Sequence, residues 1–85
     1  MPKSKFILVF HSIHDVLRAE KILKENAIVN EIVPIPRNLS SDCGMCIEVD
    51  DDITAVYRLI RPIDIAGIYS RETGEDITAS VESTI

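Results

Sequence analysis

The order strand, helix, strand, strand, helix, strand predicts an α+β fold for this chain, and three observations carry the expectation. Compact runs of β-branched and aromatic residues recur at 5–10, 28–35, 45–49 and 63–69. Two stretches between them repeat apolar residues at helical spacing. Each of those stretches follows a capping residue, and Pro62 closes the second.

The first run, Phe6-Ile7-Leu8-Val9-Phe10 after Lys5, reads as a buried central strand. Ser12 stands three residues before Asp15, the spacing of a capping box. Ile13, Val16, Leu17, Ala19 and Leu23 then form an apolar helical face, with Arg18, Lys21 and Lys24 outside. Glu25-Asn26 ends the helix, Asn26 being able to take the left-handed conformation. In the second strand, Pro34 and Pro36 limit pairing and suit a sheet edge. Met45, Ile47 and Val49 alternate with Cys46, Glu48 and Asp50, which is the period of a strand with one covered face. Asp50-Asp51-Asp52 supplies a cap and favourable charge for the second helix, whose stripe is Ile53, Val56, Tyr57 and Ile60. For residues 1–70 the expected solution is a ferredoxin-like βαββαβ sandwich. Its four-stranded antiparallel sheet would carry two helices on one face. Residues 71–85 are polar and Thr/Ser-rich after a turn glycine, and are expected to be a mobile tail outside the core.

The 85 residues make one domain, with 46% hydrophobic and 27% charged residues, the composition of an ordinary soluble globular protein. No apolar run approaches the roughly 20 residues a membrane helix needs. The N-terminus lacks a signal-peptide pattern, so a cytoplasmic location with reduced thiols is expected. The net charge of −5 is uneven: residues 1–40 balance to +2 and residues 41–85 to −7. Without a basic cluster or a tryptophan, nucleic-acid binding is not expected. The acidic half is read as a solvated face.

Both cysteines lie in one segment, Pro36-Arg37-Asn38-Leu39-Ser40-Ser41-Asp42-Cys43-Gly44-Met45-Cys46. Thiolate chemistry needs access and local dipoles, and a polar loop provides them. In the expected topology the first and third strands are antiparallel neighbours. The end of the first, with His11, Ser12 and His14, then lies beside Cys43. The helix N-terminus, the imidazoles and Arg37 would all favour a Cys43 thiolate. Extended backbone would hold the Cys43 and Cys46 Cα atoms about 10 Å apart. A disulfide wants roughly 4.4–6.8 Å, so the dithiol reading needs a turn at Gly44.

Three readings of this cluster stay open. Cys43 is a nucleophile holding a transferable group; or His11, His14, Cys43 and Cys46 bind zinc, for which two N and two S ligands are a suitable inventory; or Cys46 and His11 are ordinary structural residues. No glycine-rich phosphate loop and no Ser-His-Asp order is present.

The segment from Phe10 to Gly44 resembles a small bacterial family of selenium/sulfur carrier-like proteins. The matching residues are Phe10, Ser12, His14-Asp15, Ala19-Glu20, Pro34, Pro36-Arg37, Ser40-Ser41 and Cys43-Gly44. The resemblance covers about 70 residues and stops before the tail. It implies a carrier, more than an autonomous enzyme, in which Cys43 holds sulfur or selenium as a persulfide-type adduct. Arg37, Ser12 and His14 would serve the thiolate, no cofactor would be needed, and the partners would be donor and acceptor proteins. Cys46 and His11 depart from the pattern, which keeps the zinc alternative open. The remaining alternative is a non-catalytic interaction or regulatory domain, since this fold often dimerises through its sheet.

Overall fold

In the computed structural model of the protein, residues 5–35 and 44–84 are described. The sheet strands are β1 (Phe6–Phe10), β2 (Asn30–Pro34), β3 (Met45–Val49) and β4 (Ile65–Ser70). The helices are α1 (Ile13–Glu25), α2 (Ile53–Ile60) and α3 (Thr78–Thr84). The four strands pair antiparallel in the order β2-β3-β1-β4. Thus β1, the most apolar strand, lies between β3 and β4, and α1 carries the chain over β3 to β2. This is the α+β arrangement expected of the split βαβ connectivity.

Alternation along the strands separates two faces. Leu8 and Phe10 of β1, Ile47 and Val49 of β3 and Ile68 of β4 are buried in one cluster with Val16, Ala19 and Leu23 of α1 and Val56 and Ile60 of α2. On the other face Ile7, Val9 and Cys46 form a second cluster, packed against Val33, Ile35 and Tyr69.

Local chemistry fixes the helix ends. Ser12 is extended at φ −147°, and its hydroxyl oxygen accepts from the Asp15 N–H at 3.3 Å. Asp52 caps α2 by accepting from the Thr54 N–H at 3.0 Å. At the C-terminus of α1, Asn26 does not take the left-handed conformation. Asn26 keeps a negative φ and donates its side-chain amide to the Ile22 carbonyl at 2.8 Å. Ala27 takes the left-handed conformation instead, at φ 58°. The Ile28 N–H then reaches the Leu23 carbonyl at 2.9 Å and the Ala27 N–H the Lys24 carbonyl at 3.1 Å, a Schellman ending.

The stretch expected outside the core contributes Val81 to it. After β4 the chain turns at Gly74 (φ 75°) and returns along the β4 edge, where Tyr69 and Asp76 form an isolated bridge. The Ile77 N–H donates to the Ile68 carbonyl at 2.8 Å, and the Thr78 hydroxyl accepts from the Ile68 N–H at 2.8 Å. The segment thus occupies backbone groups that an open sheet edge would expose. It delivers α3 to the helix layer, where Val81 is only 5% exposed. One buried valine in a Thr/Ser-rich stretch gives too little periodicity to read as a core helix.

Candidate functional site: the thiol-bearing end of the sheet

The end of β1, the start of α1, the end of β2, the start of β3 and the start of β4 meet at one end of the sheet. The β1–β3 register pairs Phe6 with Val49 and Val9 with Cys46. Carried two residues further, it brings Gly44 level with His11. The Gly44 carbonyl accepts from the Ile35 N–H at 3.2 Å, which closes the neck of the β2–β3 hairpin. Gly44 has φ +72°, with open space where a Cβ would stand, so backbone conformation and not crowding calls for glycine there. Cys43 and Arg37, on which the sequence reading relied most, lie outside the described residues.

Ser12, His14 and His11 are described. The Ser12 oxygen is engaged by the α1 backbone, and its O–H remains a donor. His14 is exposed on the first turn of α1. His11 comes directly after β1, and its Nε2 lies 3.6 Å from Oδ2 of Asp64. Asp64 precedes β4 and did not figure in the sequence reading. Its signal was topological: antiparallel pairing sets the residues before β4 beside the residues after β1. The β1–β4 register also shifts there, from Val9 opposite Gly67 to Phe10 opposite Ile65. The extra residue, Ala66, makes a bulge beside His11, a device that re-aims the neighbouring chain.

Cys46 has a different environment. It is 0% exposed, lies on the sheet face opposite the helices, and holds its Sγ 3.8 Å from the Pro34 carbonyl oxygen. Among the described residues, no three His, Cys, Asp or Glu side chains converge as a metal site requires. A hollow of ≈ 160 Å³ borders Asp64, lined also by Arg61, Tyr57 and Glu82. It is small beside the roughly 300–1,000 Å³ of most ligand pockets. No helix among the described residues is long and apolar enough to cross a membrane.

The strand order and the helix layer define a small split-βαβ domain. Residues 5–70 match the family model described as "Putative Se/S carrier protein-like", and the chain belongs to that family. The matched span runs from the first residue before β1 to the last residue of β4, so it takes in the whole four-stranded sheet and leaves out α3. No curated protein and no solved structure matches the chain.

Proposed function

We propose that the protein is a sulfur or selenium carrier that holds the transferred atom on Cys43. The observation that carries this reading is the burial of Cys46. The chain has two thiols, and the one at 0% exposure is a packing residue of the sheet. Thiol transfer chemistry therefore falls to Cys43, whose chain neighbour Gly44 the register sets level with the α1 N-terminus. Membership of the carrier-like family supports the same reading.

In the loading step the Cys43 thiolate attacks the terminal sulfur of a donor persulfide. A new S–S bond forms at Cys43, the donor S–S bond breaks, and the donor leaves as a thiolate. The sulfane atom moves without net oxidation or reduction. Delivery is the reverse, with a nucleophile of the acceptor protein displacing Cys43. The N-terminal dipole of α1, the Ser12 O–H and Arg37 favour the thiolate, and His14 exchanges the proton. A carrier need not enclose its cargo, which suits a domain of 85 residues.

Intact mass spectrometry before and after a small-molecule persulfide donor tests the reading. The wild type and Cys46→Ala should each gain one sulfur, and Cys43→Ser none. Equal loss in both variants, or a zinc-sized increment in the native spectrum that vanishes with either, would sink it.

A further inference from the structure

We propose that the outer edge of β2 is a self-association surface, on which a second copy of this chain pairs antiparallel about Glu31. The two edges of the sheet are finished differently. On β4, Ile77 and Thr78 occupy both main-chain groups of Ile68, and the Ser70 N–H donates to the Glu75 carbonyl at 3.0 Å. Beyond β2, no strand follows among the described residues.

The free groups of the β2 edge are few and match each other. Val29 and Ile35 turn main-chain groups inward, the Val29 carbonyl accepting from Asp50 at 3.5 Å and the Ile35 N–H donating to Gly44 at 3.2 Å. By alternation Glu31 and Val33 also face β3, while Ile28, Asn30, Ile32 and Pro34 face outward. Ile28 is already engaged: its N–H donates to the Leu23 carbonyl at 2.9 Å, and its own carbonyl accepts from the Asn30 side-chain amide at 2.8 Å. Pro34 has no N–H, and its carbonyl oxygen lies 3.8 Å from the Cys46 Sγ. The outward N–H and C=O of Asn30 and of Ile32 are left. An antiparallel copy centred on Glu31 sets Asn30 opposite Ile32 of the second copy, and the reverse, so all of these groups pair with one another. A register centred on Ile32 would instead call on the N–H that Pro34 lacks.

The same register covers what the edge exposes. Val29, 68% exposed, comes opposite Val33 of the second copy, on the face that carries Val9 and Cys46. Glu31 meets its counterpart there. Glu31 is also opposite Glu48 of β3, which holds Arg71 at 3.0 Å and Lys5 at 3.6 Å. Those two carboxylates and two cations leave the row neutral in each copy. With the β4 edge occupied, pairing closes at two copies and does not grow into a fibre.

Sedimentation equilibrium from about 10 µM to about 1 mM, the range of a small interface, should show a reversible dimer. Amide exchange at Asn30 and Ile32 should slow as concentration rises, and at Glu31 stay constant. Val29→Lys, with circular dichroism confirming its fold, should weaken the dimer at least about tenfold, since the change acts twice across the symmetry axis. Glu31→Lys mixed with wild type should give native mass spectra with more heterodimer than the statistical share, because only the mixed pair sets opposite charges face to face. A protein that stays monomeric throughout, or a dimer whose Asn30 and Ile32 amides do not change, overturns the proposal. Protection of those amides that needs a different protein assigns the edge to a foreign strand and overturns it as well.

Discussion

The two faces of the sheet are built from the same strands by different means. On the helix side, Leu8, Phe10, Ile47 and Ile68 meet side chains from all three helices, so each is enclosed by a second layer of structure. On the other side, Ile7, Val9 and Cys46 are almost as fully buried, yet the packed partners described for them, Val33, Ile35 and Tyr69, come from the sheet strands and the residue after β2. Tyr69 lies over Gly67, where an added Cβ would stand 2.9 Å from its Cε1. One face is therefore closed by layering. On the other, the described partners are side chains lying along the sheet, with Tyr69 seated where Gly67 lacks a Cβ. The difference explains how Cys46 is a core residue on the face opposite the helices.

The sharpest test compares adjacent residues of β1. Leu8→Ala should cost near the upper end of about 2–5 kcal/mol, and Ile7→Ala near the lower end, because an enclosed site collapses less than a face closed by side chains. Denaturant unfolding of both variants would break the comparison if Ile7→Ala proved the costlier.

A smaller effect is expected at Gly67. Gly67→Ala forces the Tyr69 ring off its seat, at about 1–3 kcal/mol. Tyrosine fluorescence should change with it, and an unchanged signal with unchanged stability would remove Tyr69 from the account. Cys46→Ser puts a hydroxyl into the same apolar cluster, with an expected loss of about 1–3 kcal/mol. Thermal unfolding measures that loss, while reaction of the denatured and native protein with a thiol reagent should show Cys46 protected in the wild type.

The smallest expected effect belongs to the helix layer. The Thr78 hydroxyl, first, and the Thr78 N–H, second, donate to Asp76 and hold its carboxyl below its ordinary value of 3.8. A depressed carboxylate contributes stability above its unfolded value and loses it as the pH falls through and below 3.8. Acid titration should therefore loosen α3 before the sheet. Asp76→Asn should remove that pH dependence, which amide exchange at Val81 would report.

Much of this was legible in residue order. The alternation of Met45 to Val49, the caps Ser12 and Asp52 and the stripe of α2 are local signals, and they lead to the observed elements because local geometry makes them. The antiparallel neighbours β1 and β3 followed from the order of elements. Cys43 stood out for the same local reason, as a thiol in a polar loop. The end of α1 at Glu25-Asn26 was legible as well, but the left-handed conformation falls one residue later, on Ala27, because the Schellman hydrogen bonds and not propensity assign it. The tail was misjudged because Val81 alone signals little until Gly74 turns it back onto β4.

The sequence by itself determined the strand and helix periods, the caps, the pairing order and the two thiols in one segment, because each depends on neighbours a few residues apart or on chain connectivity. Only the tertiary structure decided that Cys46 is a packing residue, that α3 completes the helix layer and that His11 meets Asp64. Those outcomes join residues distant in the chain, and burial and side-chain approach are set by what the assembled sheet places around them.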